Sequence, residues 1–359
     1  MLKKSKHSLL VKAGVVLSVI ALSVGVSTPA NASNITGNGS SAVKNLLDVC
    51  IPAWSKWSSH NLAYPGSGSG TGRSAFLAGT VDLAFSDTAY SATDKKPEHF
   101  VYIPASQFPI TVFANLPGFK SKLNLSPSTV SSIFAGKITK WNDPAIIADN
   151  TDVKTKKKTA MPNLAITVYY RFDKSGTSEV FTDWLSQLNP TVWTKGKNGT
   201  FTSAFPGTVP AGTFQSGNAS DGVANGVASK AGAIGYGEVS YATERKLIVA
   251  NLKNNNGEFI APNSTTTSLF VNGYIAGENG TIKLDYTKKV KGAYTLASYA
   301  YALAYTKGAG KNIANQAVVK QFIDYVVNDC ATENAAKLGY SKLSGALLKL
   351  ADAQIAKIE

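Results

Sequence analysis

The segment from Arg171 to Thr177 contains the residues best suited to binding chemistry in this chain. It follows an apolar, β-branched stretch at 164–170 and precedes a stretch of helical character at 178–188. A small-residue turn at a helix start leaves backbone N–H groups unpaired at the positive end of the helix dipole, where anions bind. Arg171 adds a planar guanidinium, and Ser175 and Thr177 add hydroxyl donors. The segment predicts an oxyanion site; the alternative is an ordinary capped helix with a surface ion pair.

Other residues of the segment, and other turns, support the first interpretation. Gly176 allows close approach of the backbone, and Asp173 is placed to hold the Arg171 guanidinium. Three further small-residue turns precede predicted helices or follow predicted strands, at 39–42, 68–71 and 86–88. One such turn means little, because glycine and serine turns occur throughout α/β proteins. Four of them predict a site that encloses a small tetrahedral anion.

Alternating periodicities predict the elements that position these turns. The predicted helices are 40–57, 73–78, 126–134, 178–188, one that contains 223–228, 315–327 and 340–358, and the predicted strands are 81–85, 108–115, 164–170 and 294–305. The polar stretch 250–268 is predicted to be loops, and the residues before 40 a flexible start. Alternating strands and helices indicate α/β lobes with mainly parallel sheets.

The N-terminal residues have the pattern of a secretory signal peptide. A basic start is followed by the uncharged stretch 13–26 and by the small-residue sequence Ala30-Asn31-Ala32, which predicts a signal peptide at 1–32. The only cysteines are Cys50 and Cys330, and neither lies near the predicted cleavage site after Ala32. We therefore predict an exported, periplasmic or extracellular protein that is not a lipoprotein.

Two cysteines in an exported chain predict one disulfide, between Cys50 and Cys330. The alternative is two separate buried thiols. Such a disulfide would fasten the N-terminal part of the chain to the C-terminal part.

The charge balance favours an anionic ligand or surface. The formal charge of the whole chain is +14, and removal of four signal-peptide lysines lowers it to about +10. The lysines are spread out apart from the run at 154–158, which is predicted to be an exposed loop. No basic and aromatic repeat typical of nucleic-acid binders is present, so we predict no nucleic-acid partner.

The sequence gives no pattern for catalysis or for a cofactor. No phosphate loop of the G-x-x-x-x-G-K-[ST] type and no G-x-S-x-G elbow occurs. His60 and His99 are predicted to be exposed, and the two cysteines are too far apart to suggest a metal site. We predict no enzyme activity, no cofactor and no metal.

The ordered motifs resemble one family over nearly the whole chain. The motifs are 37–41 (GNGSS), 66–69 (GSGS), 81–87 (VDLAFSD), 107–118 (QFPITVFANLPG), 133–143 (IFAGKITKWND), 171–178 (RFDKSGTS) and 232–236 (GAIGY). Together they resemble the phosphate-binding proteins of the bacterial phosphate-specific (Pst) ABC importer, in the periplasmic-binding-protein superfamily.

The resemblance implies a set of phosphate contacts. The implied contacts are Ser41, Ala42, Ser69, Asp87, Arg171, Ser175, Gly176 and Thr177. Asp173 matches the acid that orients the family's arginine. The chain departs from the family at Ala42, where an aromatic residue and prolines are usual, so only a backbone N–H is expected to serve there.

The resemblance also implies an architecture and a task. It implies a type II α/β fold with two lobes, a hinge and an interlobe cleft, with lobe I at 33–110 plus 292–359 and lobe II at 111–291. The implied protein is a monomer that captures inorganic phosphate and delivers it to a membrane ABC permease. The alternatives are the same fold binding another oxyanion (sulfate, molybdate or tungstate), or an extracellular phosphate-scavenging or adhesin-like protein. A phosphatase is a more distant alternative.

Overall fold

The computed structural model describes residues 32–358. The predicted signal peptide therefore lies outside the described residues, apart from Ala32. Within the described part of the chain, no helix has both the length and the apolar character needed to cross a membrane.

Helices and strands alternate along most of the described chain. The helices are α1 Lys44–Ser58, α2 Ser69–Ala78, α3 Pro127–Phe134, α4 Pro144–Asp149, α5 Gly176–Leu188, α6 Phe201–Ala204, α7 Ala219–Ser229, α8 Val239–Glu244, α9 Ser264–Val271, α10 Gln316–Asp324, α11 Ala331–Asn334 and α12 Gly345–Ile355. The strands are β1 Asn34–Gly39, β2 Asn61–Ala63, β3 Leu83–Ser86, β4 Phe100–Ala114, β5 Asn124–Leu125, β6 Thr167–Arg171, β7 Phe214–Gly217, β8 Ala233–Glu238, β9 Ile248–Val249, β10 Asn251–Lys253, β11 Phe259–Ile260, β12 Ile275–Ala276, β13 Ile282–Lys283 and β14 Ala297–Tyr305.

One large sheet organises the molecule. Its strand order is β2-β1-β3-β14-β4-β8-β6-β7, and β9 pairs with β4. The outer pairs β1–β2, β1–β3, β6–β7 and β6–β8 are parallel, whereas β14 and β4 pair antiparallel with each other and with their outer neighbours. The expectation of mainly parallel sheets is therefore wrong at the centre. The two long antiparallel strands, β14 and β4, therefore join one group of parallel strands (β1, β2 and β3) to another (β6, β7 and β8).

Strand β4 connects the two parallel arrangements because it changes partner along its length. Its residues from Phe100 to Pro109 pair with β14, and those from Ile110 to Ala114 pair with β8. The register shifts beside Pro104, which has no N–H to donate, and the resulting bulge lets the strand continue past it. The change of partner falls where the predicted lobe I segment ends, although the lobe boundaries stay a prediction.

Two predictions from local sequence are wrong. The residues before 40 form β1, which lies between β2 and β3. The polar stretch 250–268 contains β10, β11 and the start of α9, and β10 pairs in parallel with β5. Both segments are short and polar, so their periodicity is weak and pairing with distant strands decides their conformation.

Cys50 and Cys330 are joined by the predicted disulfide, with their Cα atoms 5.7 Å apart. The bond connects α1 to the helical segment Tyr325–Cys330, across a sequence separation of 280 residues. Trp54 of α1 packs edge-on against Phe322, with ring centroids 4.9 Å apart, so an aromatic contact accompanies the cross-link.

The double variant Cys50→Ala/Cys330→Ala should be less stable than the wild type by about 2–5 kcal/mol. A cross-link over so long a loop restricts the unfolded chain, and its removal restores that entropy. Urea unfolding at neutral pH measures the difference. The pair Cys50→Ser/Cys330→Ser serves as a control for side-chain type, and a loss below about 0.5 kcal/mol in both variants would contradict the expectation.

Candidate functional site

The ends of β1 and β3 lie side by side because these strands are parallel neighbours. Gly39 is paired with Phe85, and the Ser40 N–H donates to the Phe85 carbonyl at 2.8 Å. Gly39 has φ of 137°, and a Cβ there would lie 1.9 Å from the Phe85 carbonyl oxygen, so only glycine fits. The paired ends bring Ser40 next to Asp87.

Asp87 lies at the centre of a buried hydrogen-bond network and is 1% exposed. The Ser40 hydroxyl donates to its Oδ1, and the Thr177 hydroxyl donates to its Oδ2 at 3.0 Å. Its backbone N–H donates to the Ser69 hydroxyl at 3.2 Å. Asp87 therefore contacts residues that follow β1 and residues that open α2 and α5.

Burial raises the pKa of Asp87 to about 6. The hydrogen bonds from Ser40 and Thr177 and the charges of Arg171 and Arg73 oppose this rise. The carboxylate thus titrates just below neutral pH, and at pH 7 it is mainly a negatively charged hydrogen-bond acceptor.

The first turn of α5 supplies donors beside Asp87. Ser175 is the N-cap, and its Oγ accepts from the Ser178 N–H at 3.2 Å. The N–H groups of Gly176 and Thr177 stand in the first turn, where no carbonyl of the same helix can accept from them. The helix dipole makes this end favourable for an anion.

Gly176 allows the starts of α5 and α2 to approach closely. A Cβ at Gly176 would lie 2.4 Å from the Ser69 Oγ and 2.8 Å from the Asp87 Cβ. Nearby, the Gly70 N–H donates to the Lys174 carbonyl at 3.0 Å. A side chain at position 176 would therefore separate the two helix starts.

Arg171 is the cation at the end of β6, with a side chain 1% exposed. Its Nε donates to Asp173 Oδ1 at 2.7 Å, and its Nη2 donates to Oδ2. Its Nη1 donates to the Ser220 hydroxyl at 3.3 Å. Asp173 thus holds one edge of the guanidinium by two bonds, in the arrangement that the sequence suggested, and leaves further N–H groups available for a ligand.

Ser41 and Ala42 complete the predicted set at the start of α1. The Ser41 and Ser220 hydroxyls lie 2.8 Å apart, and the Ser220 N–H donates to Ser41 Oγ at 3.2 Å. The Ala42 N–H, predicted to serve the ligand, donates to the Ser40 hydroxyl at 3.1 Å. Ser41 therefore lies close to Arg171 through Ser220, whereas Ala42 lies next to the hydroxyl that contacts Asp87.

The structure thus brings the eight predicted contact residues into one buried region. The seven of them with side chains are each at most 2% exposed, namely Ser41, Ala42, Ser69, Asp87, Arg171, Ser175 and Thr177. They come from the ends of three strands and the starts of helices α1, α2 and α5.

Sequence reasoning missed several residues of this region. Ser40 and Ser220 contact the predicted residues directly through their hydroxyls. Tyr64 donates to the Ser40 carbonyl at 2.8 Å, and Tyr241 donates to the Ser41 carbonyl at 2.6 Å. A signal existed for Ser220, because its small polar turn stands between β7 and α7 just as the other turns stand between strand and helix.

Arg73 was also missed, and it holds the turn that carries Asp87. Its Nη1 donates to the Ser86 hydroxyl at 2.8 Å and to the Thr88 hydroxyl at 2.6 Å. Its Nη2 lies 3.5 Å from a Glu179 carboxylate oxygen. Arg73 therefore links the residues on both sides of Asp87 to helix α5.

A second buried acid, Glu238, lies at the end of β8, where Ile110 of β4 pairs with it. Burial raises its pKa to about 8. Tyr340 lies 2.6 Å from the Ala42 carbonyl and 3.0 Å from Glu238 Oε2. The Ser240 hydroxyl and N–H also donate to this carboxylate, and their hydrogen bonds and the one from Tyr340 oppose the rise in the pKa without cancelling it.

The unfolding free energy should fall as the pH rises from about 5 to about 8, and Glu238→Gln should reduce that fall. A raised carboxyl pKa means that the native state holds its proton more tightly than the unfolded state does, so stability is lost on deprotonation. A raised pKa for Asp87 contributes only below about pH 6, which leaves the upper part of the range to Glu238. Urea unfolding at several pH values measures the slope.

Glu244→Gln is the matched control, because the Glu244 side chain is 55% exposed on the neighbouring helix α8. An equal pH slope in wild type and Glu238→Gln between about pH 6 and pH 8 would contradict the assignment.

The chemical capacity of the site follows from its donors and its single central acid. Hydroxyls and first-turn N–H groups lie around Asp87, and Asp173 holds the Arg171 guanidinium in the same region, so the region offers many donors and one charged acceptor that is not already bonded to an arginine. Such a set suits a small oxyanion that itself carries a proton.

Comparisons with known proteins show which family the chain belongs to. The PBP superfamily domain matches residues 25–329. The phosphate-binding protein PstS of Haemophilus influenzae is 34% identical over 248 residues, which cover 69% of this chain and 70% of the relative. The phosphate-binding protein PstS of Methanocaldococcus jannaschii is 28% identical over 307 residues, covering 80% of this chain and 77% of the relative.

Solved structures confirm the predicted fold class. A high affinity periplasmic phosphate-binding protein determined with phosphate bound at pH 8.5 superimposes with a TM-score of 0.69 at 20% identity, covering 89% of this chain and 93% of the other. A phosphate-binding protein from Stenotrophomonas maltophilia gives 0.65 at 23% identity, with 90% and 94% covered. The fold is therefore the α/β fold of the two-lobe periplasmic binding proteins. With its superfamily match and its similarity to the Haemophilus influenzae protein, this chain belongs to the PstS family of the PBP superfamily.

Proposed function

We propose that this protein captures inorganic phosphate in the buried region around Asp87 and delivers it to a membrane ABC permease. The observation that carries the proposal is that one buried acceptor, Asp87, lies in the same region as the guanidinium of Arg171 and the donors at the start of α5. The names of the related PstS proteins support the same ligand.

Seven of the eight predicted contacts take the following roles in this proposal, and Ser175 caps the helix that carries two of them. The Arg171 guanidinium and the first-turn N–H groups of α5 bind negatively charged phosphate oxygens, and Asp87 accepts from the protonated oxygen. The Ser41 and Thr177 hydroxyls turn from their present protein partners to phosphate oxygens, whereas the Ser69 hydroxyl keeps the Asp87 N–H as its donor and gives its own proton to a phosphate oxygen. The N–H of Ala42 is the least direct of the proposed contacts, because Ser40 already accepts from it.

The proposal includes a closing movement about β4. Lobe I would comprise 33–110 and 292–359, and lobe II 111–291, with the hinge near the change of partner between Pro109 and Ile110. Asp87 and Ser69 would then belong to lobe I, and Arg171 to lobe II. Closure around a ligand excludes water and strengthens each polar contact.

We also infer that the chain acts outside the cytoplasm, as a monomer and without a catalytic step. The signal pattern at 1–32 and the Cys50–Cys330 disulfide support export, because disulfides persist in oxidising compartments.

The delivery step is tested by deleting the gene and measuring phosphate uptake. Unimpaired uptake would favour phosphate scavenging without a permease.

Calorimetry of residues 33–359 against phosphate, sulfate, molybdate and tungstate tests the ligand. Phosphate should bind more tightly than the other three by about three to four orders of magnitude, because unprotonated oxyanions leave Asp87 without a donor. Equal or tighter binding of any of the others would contradict the phosphate assignment.

A further inference from the structure

A groove distant in sequence from the Asp87 region combines high positive charge with a fixed shape. Its volume is about 780 Å³, and it lies between the loop 118–124 and the segment 150–160. Four lysines line it: Lys120, Lys122, Lys157 and Lys158. The lysine run at 154–158, predicted to be an exposed loop, thus forms part of a concave surface.

The two walls of the groove are held together by reciprocal hydrogen bonds. The Asn124 N–H donates to Asn150 Oδ1 at 2.9 Å, and Asn150 Nδ2 donates to the Asn124 carbonyl at 2.9 Å. Asn150 is 4% exposed, so this link lies beneath the surface. The groove therefore exists before any ligand binds.

The wall that carries Lys157 and Lys158 is a closed hairpin. Thr151 and Lys158 form an antiparallel bridge, and the Asp152 N–H donates to the Lys157 carbonyl at 2.9 Å. The Thr159 N–H donates to the Asn150 carbonyl at 2.9 Å. The backbone positions of the two lysines are thus fixed, which lowers the entropy lost when a ligand binds.

The positive charge of the groove is not neutralised within the described part of the chain. Asp152 is the one acid among the lining residues, and its Oδ1 accepts from the N–H groups of Lys154 and Thr155 and from the Thr155 hydroxyl. Within residues 32–358, none of the four lining lysines forms an ion pair. Four lysines therefore line the groove together with one carboxylate, which already accepts hydrogen bonds in its own turn.

We infer that this groove binds a linear polymer of phosphate groups. Isolated exposed ion pairs stabilise a complex little, so a single orthophosphate would be held weakly here. A chain of linked phosphates contacts several lysines at once and releases several counterions on binding. The inference is independent of the phosphate site around Asp87, because no lining residue belongs to that region.

The shape of the groove favours a chain over other anionic partners. Lysines lie on both walls of the open groove, so a linear polymer contacts both, whereas a bilayer meets a flat or convex surface. Phe119 is the one aromatic residue in the lining and is only partly exposed, so there is no row of rings on which successive nucleic-acid bases could stack.

The test compares polymer binding by the wild type and by a variant with Lys120, Lys122, Lys157 and Lys158 changed to Gln. The two probes are fluorescently labelled inorganic polyphosphate and poly(glycerol phosphate). Both are linear chains of negatively charged phosphate groups, and they differ only in how the phosphates are joined. Affinity of the variant should fall by about tenfold or more at low salt, for at least one probe. The slope of log affinity against log salt should decrease by about 3, at roughly 0.7 for each lost contact.

The matched control removes the same charge elsewhere, by changing Lys95, Lys96, Lys289 and Lys337 to Gln; all four are exposed. Its polymer affinity should stay within about twofold of the wild type. An equal loss in both variants would mean that binding follows net charge, and no loss in the groove variant would leave the groove without a role. Either result would overturn the inference, as would tighter groove-dependent binding to anionic lipid vesicles than to both polymers.

Two further measurements separate this site from the proposed phosphate site. The groove variant should bind orthophosphate as the wild type does, since its substitutions lie outside the Asp87 region. Polymer binding should persist in Arg171→Ala, because this variant weakens the Asp87 region and leaves the groove unchanged. Loss of polymer binding in Arg171→Ala would place the polymer in the Asp87 region and overturn the inference.

Discussion

Asp87→Asn should lower the ratio of phosphate affinity to sulfate affinity by about two orders of magnitude or more. Phosphate near neutral pH carries at least one proton, which it can donate to the Asp87 carboxylate, whereas sulfate carries none. An ionised carboxylate only accepts hydrogen bonds, so it meets sulfate lone pair to lone pair in a region from which water is excluded. The amide of asparagine offers a donor, and sulfate should gain relative to phosphate.

Titration of the wild type and Asp87→Asn with both anions, at one pH near 8 and fixed ionic strength, measures this ratio. Asp143→Asn is the matched control, because Asp143 caps α4 through the Ala145 N–H at 2.8 Å and lies outside the site. An unchanged ratio in Asp87→Asn would make Asp87 a structural residue that merely supports its turn. Its carboxylate accepts from the hydroxyls of Ser40 and Thr177, on two other segments, and this argues against a role confined to that turn.

The pH dependence of the same ratio follows from the raised pKa of Asp87, about 6. Below that pH the carboxyl is protonated and becomes a donor, as asparagine is. The wild-type ratio of phosphate to sulfate affinity should therefore fall as the pH drops through about 6, relative to the ratio in Asp87→Asn at each pH. That comparison removes the contribution of phosphate's own titration.

Arg171→Ala should weaken phosphate binding about a hundredfold or more. The guanidinium is buried and held by Asp173, so its remaining N–H groups are positioned before the ligand arrives. Arg171→Lys keeps the charge but loses the planar fork that bonds Asp173 through two nitrogens, and affinity should fall here as well. Asp173→Asn should have a smaller effect, because it only loosens the arginine.

Calorimetry with phosphate measures these three variants, and thermal unfolding of each reports whether it folds. Arg245→Ala is the matched control, since Arg245 is paired with the exposed Asp221 and touches the site region only through its bond to the Tyr241 carbonyl. If Arg171→Ala bound phosphate as tightly as the wild type, Arg171 would not be a phosphate contact.

Local patterns in the sequence were enough to predict the turns and caps of this protein. The turn from Ser175 to Thr177 could be predicted because a capping serine, a glycine and a following helical period are neighbours in the chain. The bond between Arg171 and Asp173 joins residues two positions apart, and the Cys50–Cys330 disulfide followed from there being two cysteines. The resemblance to a family then placed Ser69 and Asp87 in the same site.

Which distant residues contact these turns and caps depends on the packing of the whole fold. Ser40 contacts Asp87 across 47 positions, Ser220 contacts Arg171 across 49, and Tyr340 joins Ala42 to Glu238. No local period encodes such contacts, because they depend on strand order and on the long strands β4 and β14 at the sheet's centre. The same holds for β1 and β10, whose short polar sequences become strands only because a neighbouring strand supplies the hydrogen bonds. Pattern along the chain fixes a turn or a cap, whereas burial and pairing across the fold determine which hydroxyl, carbonyl or charge lies beside it.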